Sequence, residues 1–278
     1  MKIIKHTRNF IDRHLPLIAK NYRLMRDYFI YISYKPYQTK FGFLLYGDAN
    51  FDISREQTGE IEILSKYLSP KSVFIDVGAN VGLFTCFANK LQCKVIAIEP
   101  NPLNFKLLCR NLYINKIKDV ELYYAALSDS CEIKPLHGGL QGASLIKGWG
   151  NIHSTYINLV PSLTLDRITE KINNENLFIK IDVEGAEFYV LKGAQKTLMN
   201  LNSLWLIENS LTENFKNLNP HYKDVFEFFW SQNFISYSIV LKKIIDEREI
   251  NNWIKKGSAG KNNINFFFFH PSKNKLII

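Results

Sequence analysis

The chain has 278 residues, 46% of them hydrophobic and 14% aromatic, enough to bury the core of one elaborated domain or two small ones. Its formal net charge is +9, and no stretch approaches the roughly 18–20 uninterrupted apolar residues of a membrane span, so a soluble or peripheral protein is expected. The four cysteines form no CxxC pair and have no histidine at zinc-ligand spacing; a structural zinc site is not expected, and small buried thiols in a reducing compartment, the cytoplasm, are.

In chain order, the first 40 residues carry nine Lys and Arg against Asp12 and Asp27 only, interleaved with apolar residues at helical spacing. This basic amphipathic segment is expected to pack as a solvated helix on the core. Contact with anionic lipid at the inner face of a membrane, or with a polyanion, is the alternative. "KFGFLLYG" follows as a short strand, and residues 1–50 are expected to form an appendage to a domain over 51–278. Ser54 with Gln57 three positions on is a capping-box signature. Ile61, Leu64 and Leu68 share a face, and Pro70 stops the helix.

From residue 72 the pattern alternates: apolar runs "SVFIDV" (72–77), "KVIAIE" (94–99), "VELYYAALS" (120–128), "LFIKID" (177–182) and "SLWLIEN" (203–209) are separated by helical stretches starting near 81, 102 and 184. Short apolar runs joined by helices are βαβ units, so the fold class is α/β with a mostly parallel sheet covered on both faces. Asn219–Pro220 has the form of a helix cap with a first-turn proline, and "FISYSIVL" and "INFFFFH" are expected to pair antiparallel at the sheet edge.

The first strand ends in "DVGANVG", with Asp76, Gly78, Asn80 and Gly82. The carboxyl end of such a strand is where nucleotide-like ligands bind. A carboxylate at the mouth of the turn would repel a pyrophosphate and suits a cationic, phosphate-free ligand such as S-adenosylmethionine. Glu99 closes the second strand, placed to accept hydrogen bonds from ribose hydroxyls, and Leu127 and Ser128 fall where the adenine edge would lie.

"FIDVGANVG", "IAIEPNPLNFKLLCRN", "LTLDRI" and "IKIDVEGAEFYVLKGA", in this order, resemble the FkbM-type family of S-adenosylmethionine-dependent methyltransferases over roughly residues 55–210. The resemblance implies a class I methyltransferase fold, a Rossmann-like three-layer sandwich whose seven-stranded sheet ends in an antiparallel strand. It also implies O-methylation, often of a sugar or polyketide hydroxyl.

A hydroxyl acceptor must be aligned with the donor and relieved of a proton. "KIDVEGAE" supplies Asp182 and Glu184 as the catalytic candidates, with Asp182 orienting or deprotonating the acceptor and Glu184 bonding the same sugar. A divalent cation is a secondary expectation and no metal ligand is assigned. Glu187 is read as complementing the helix dipole, and Lys180 as facing the opposite side of the strand within reach of a neighbouring acid. Glu208 is an acceptor-side candidate, and Asp166 a cap for the helix leading to the fourth strand. The loop "HGGLQGASLIKGWG" (137–150) is expected to be a mobile lid with His137, Ser144 and Trp149 reaching substrate. A nucleic-acid methyltransferase, or a non-catalytic binding protein of the same fold, are the competing readings. The acceptor, a small molecule or glycan, and the oligomeric state are open.

Overall fold

The computed structural model describes residues 14–48, 59–139, 142–149, 157–172, 176–211, 219–260 and 262–274. The expected Ser54–Gln57 capping box lies outside them. Helix α1 (Pro16–Ser33) leads into the hairpin β1 (Pro36–Gln38) and β2 (Leu44–Tyr46), then α2 (Glu60–Tyr67). The alternation that follows is β3 (Ser72–Val77), α3 (Leu83–Lys90), β4 (Lys94–Ile98), α4 (Pro102–Ile114) and β5 (Val120–Tyr123). Next come β6 (Ala126–Leu127), β7 (Ile133–His137), β8 (Ile157–Leu163) and α5 (Leu165–Thr169). The parallel pattern resumes with β9 (Asn176–Ile181), α6 (Glu187–Lys192), α7 (Gln195–Leu198) and β10 (Leu204–Glu208). The chain finishes with α8 (Tyr222–Trp230), β11 (Ile235–Ser238), β12 (Lys243–Ile245), α9 (Glu247–Lys256) and β13 (Asn265–Phe269).

Side chains alternate across a strand, and β3 is buried along its whole length, so it must be covered twice. Val73, Ile75 and Val77 join the core formed with α5, α6, α8 and α9, while Phe74 joins the core formed with α2, α3 and α4. The result is the expected three-layer α/β sandwich. Its main sheet runs β12-β11-β13-β10-β9-β3-β4-β5, with β5, β4, β3, β9 and β10 mutually parallel.

Two expectations about strands change. The sheet has eight strands, and β13 sits inside it, between β10 and β11 and antiparallel to both, while the short β12 takes the edge. All five β13 residues are buried, four of them phenylalanine, and a strand apolar on both faces is driven to the interior. The run 120–128 splits after Tyr123. Beyond it, β6 leaves the main sheet to pair with β8, which with β7 forms a separate three-stranded sheet.

Local expectations at three helix starts also shift. Asn219 does not cap its helix by side chain; its Nδ2 donates to Asn209 Oδ1 and to the Ser210 carbonyl, and α8 begins at Tyr222. Asp166 is structural, but it receives the Lys196 and Thr197 amides at the start of α7, while Thr164 caps its own helix. The chain expected to turn helical near 184 does so at Glu187, because Glu184 and Gly185 take left-handed backbone angles, φ 56° and 92°.

The hairpin is fastened by two asparagines at the C-terminal end of α4, Asn111 within it and Asn115 just beyond it, that imitate a neighbouring strand. Asn115 and Asn111 each exchange hydrogen bonds with a hairpin backbone, at Leu44 and Tyr46 respectively. Asn111 Nδ2 also donates to the Val81 carbonyl at 2.7 Å, tying the hairpin to the glycine turn after β3.

Phe267 stacks between Phe178 and Phe269 and is fully buried. Phe267→Ala should therefore lower stability by about 3–5 kcal/mol in urea denaturation. A loss below about 1 kcal/mol, as at a solvated edge, would contradict the central position of β13.

Candidate active site

The carboxyl ends of β3, β4 and β9 meet around an open cleft. Its wall is built by the turn after β3, where the Gly78 and Ala79 amides both donate to the Ile98 carbonyl. Gly78 has φ 82°, and a Cβ there would lie 1.9 Å from the Asp182 carbonyl oxygen, so only glycine lets β3 and β9 approach at this point. Gly82, at φ 92°, similarly gives room to Leu108 of α4.

Of the residues expected to bind a cofactor or substrate, Gly78, Asn80, Glu99, Leu127, Ser144, Asp182 and Glu184 line this cleft. Asp76, Gly82, Ser128, His137, Trp149 and Glu208 do not. Asp76 lies below the turn, fully buried, with Oδ2 accepting from Thr85 Oγ of α3 at 2.6 Å. The charge expected in the mouth therefore faces the helix layer, since Asp76 precedes the end of the strand and points as Phe74 does. Ser128 is buried and donates to Asp129. Glu208 ends β10, outside the lining.

Glu99 is buried and receives the amides of Asn80 and Asn101, each at 2.8 Å. Burial pushes its pKa up to about 7, against the opposing pull of those donors and of the Asn104 side chain. Asn80, in a left-handed conformation, presents a buried Oδ1 with no hydrogen-bond partner among the described residues.

Across the cleft, Asp182 is nearly buried and its Oδ2 accepts from Lys180 Nζ at 3.1 Å. Residues two apart on an extended chain share a face, so Lys180 lies on the same side as Asp182, contrary to the expectation of opposite sides. The lysine is 1% exposed, 3.7 Å from Glu60 Oε1 of α2, and its ammonium stands 4.5 Å over the Phe84 ring. Lys180 is also the register partner of Asp76 on β3. Glu60, outside every sequence motif, had no local signal; only the packing of α2 brings it here.

Glu184 connects the turn to the glycine-rich loop. Its Oε2 accepts from Trp149 Nε1 at 2.7 Å and its carbonyl accepts from Ser144 Oγ at 2.6 Å. Ser144 also exchanges backbone hydrogen bonds with His137, so the described part of the loop is anchored at both places. Burial, with the charge of Lys147, holds the His137 imidazole below its usual pKa. Glu187 does more than face the helix dipole: it is buried, and Oε1 accepts from the Gly185 amide at 2.9 Å. Burial pushes its carboxyl up to about 8. Among the described residues, no group of three or more His, Cys, Asp or Glu is placed to hold a metal ion.

The strand order, the glycine turn and an acid at the end of β4 are those of the class I methyltransferase fold. The Methyltransferase FkbM domain model matches residues 76–236, more than half of the chain, and the chain belongs to that family. Hexuronic acid methyltransferase AglP of Haloferax volcanii is 28% identical over 155 residues, and methyltransferase sdnD of Sordaria araneosa 28% over 165. These matches take in 53% and 46% of this chain and 62% of each relative, so the chain spans less than two thirds of the curated relatives' length. The solved methyltransferase FkbM of Methylobacillus flagellatus KT aligns over 73% of this chain and 44% of its own, at 15% identity and a TM-score of 0.42.

Two outcomes follow from the turn. Glu99 and Glu187 keep a proton in the folded chain where an unfolded carboxyl, with a value of 4.5, has lost it. The stability this protects is fully present below about pH 4.5 and is lost as pH rises toward about 8. Glu187→Gln, which can still accept from Gly185, should raise the Tm at about pH 9 by several degrees and leave it unchanged at about pH 5. An equal shift at both would refute the buried acid. Gly185→Ala would set a Cβ 2.3 Å from the Trp149 ring in a left-handed turn, and should release the loop to limited proteolysis.

Proposed function

We propose that the chain transfers the methyl group of S-adenosylmethionine to a hydroxyl of a sugar or related small molecule. The observation that carries the reading is the sign of the cleft. Glu99, Asp182 and Glu184 line it, and among the described residues no Lys or Arg does, although the chain as a whole is +9. Such a lining attracts a cation and repels the phosphates of nicotinamide cofactors and nucleic acids.

S-adenosylmethionine, when bound, supplies a methyl group on a sulfonium leaving group. The residues suit it. Glu99 has acceptor capacity for a ribose hydroxyl beyond its two backbone amides, with Asn104 as an exchangeable third donor. The buried Oδ1 of Asn80 is an acceptor for the ligand's ammonium, and Leu127 with Pro100 and Leu145 offers an apolar slot for adenine. Asp76 and Gly82 support the turn from below. On the other side, Asp182, oriented by Lys180, takes the proton of the acceptor hydroxyl, and Glu184 with Ser144 positions the sugar. His137 and Trp149 hold the loop whose Ser144 reaches this cleft, and neither they nor Glu208 line it. In this reading residues 51–278 are the catalytic domain and 1–50 an appendage, of which α1 and β2 rest on α4.

The name of AglP points to a sugar acceptor for that relative. Here the acidic lip favours a neutral sugar over a uronate, since two carboxylates at short range repel. Calorimetry should show S-adenosylmethionine binding that Glu99→Ala abolishes. Asp182→Asn should keep that binding and its cooperative unfolding while turnover on a hydroxylated sugar falls by about 10²–10⁴. Equal loss of binding and turnover in Asp182→Asn would remove its catalytic assignment, and failure of the parent chain to bind the donor would end the whole reading.

A further inference from the structure

Helix α1 is built inside out. Its protein-facing positions are Ala19, Arg23 and Asp27, buried at successive four-residue spacing where the helix rests against α4. Arg26 holds the buried Asp27 carboxylate through Nε and Nη2, at 2.9 and 2.6 Å. Its outward positions are apolar. Ile18, Tyr22, Met25, Phe29 and Ile32 recur at alternating spacings of four and three, with Leu17 beside them, and all stand exposed, Leu17 by 74% and Phe29 by 58%. A surface helix ordinarily turns that stripe toward the core. Here the stripe runs from Leu17 to Ile32 along a helix of 18 residues, about 22 Å of apolar surface facing away from the fold.

Three occupants could cover such a face, and charge decides among them. The first 40 residues hold nine basic side chains and two acidic ones; Arg23 faces the protein and Arg26 is paired with the buried Asp27, which leaves seven basic side chains against Asp12. A second copy related by a twofold axis would bring this positive segment against itself. Nucleic acid would satisfy the cations and leave the apolar rows in water. An anionic lipid surface satisfies both, with the apolar stripe sunk at the level of the acyl boundary and the partly or fully exposed Lys20 and Lys35 among headgroups. No described helix is long and apolar enough to cross a membrane, so α1 would lie in the interface plane. Tyr22 and Tyr28 on the outward side have the amphipathic rings suited to that depth.

We infer that α1 is an interfacial anchor that seats the protein on an anionic membrane surface. The test is co-sedimentation of the full chain with vesicles of phosphatidylcholine alone and of equimolar phosphatidylcholine and phosphatidylglycerol, with light scattering of the free protein. Expected is binding to the anionic vesicles at least about tenfold stronger than to the neutral ones and weakened by salt. Ile18→Glu with Phe29→Glu should lower the bound fraction by about tenfold or more. Lys20→Glu with Lys35→Glu should lower binding to anionic vesicles only. All four positions are solvent-facing or partly so, and unchanged thermal unfolding verifies that each variant folds. Equal affinity for both vesicles, or none for either, overturns the proposal. So does a stable dimer that the Ile18→Glu, Phe29→Glu variant converts to monomer, which would make a second copy the occupant.

Discussion

A lysine ammonium withdrawn from water must have acids beside it, and the site rests on that constraint at Lys180. The cost of burying the cation is offset by Asp182 at 3.1 Å, Glu60 at 3.7 Å and the face of Phe84, with Asp76 opposite it on β3. Each of these partners belongs to a different element: the end of β9, α2, α3 and β3. The ion cluster therefore does what a purely apolar contact could not. It ties the helix layer to the floor of the cleft and gives the Asp182 carboxylate one direction, since its Oδ2 is held from below. That explains why "KID" appears as a unit, a cation and an anion two residues apart on one face.

The second half of the same motif works through backbone geometry. Left-handed angles at Glu184 and Gly185 delay the helix by a turn and push Glu184 outward, where it meets Trp149 and Ser144. Gly185 has no side chain to obstruct the indole, and Glu187 accepts its amide from inside. Acids are concentrated at the lip of the sheet because the three carboxyl groups are used differently. Asp182 borders the lysine, Glu184 holds the loop, and Glu187 closes the turn.

Charge is segregated at the scale of the whole molecule as well. The cleft is acidic in a chain of net +9, and much of the surplus positive charge sits in the N-terminal 40 residues. Those residues carry the helix whose apolar side faces outward. A single chain thus concentrates acids at the cleft and basic residues in its first 40 positions.

What the sequence determined by itself is what local periodicity and short-range chemistry can express. The apolar runs at 72–77, 94–98 and 176–181 are strands because they are short, continuous and separated by helical patterns, and the glycines of "DVGANVG" mark a turn that only left-handed angles can make. Glu99, Asp182 and Glu184 were legible as acids at strand exits, and the cleft does bring them together. Tertiary structure alone decided the rest. It placed Trp149 on Glu184 across 35 positions and Glu60 on Lys180 across 120. It turned Asp76 under the turn, set β13 inside the sheet, and faced the apolar side of α1 outward. These are contacts between residues far apart in the chain, and a period of two or 3.6 reports which side of an element is apolar, not which neighbour will cover it.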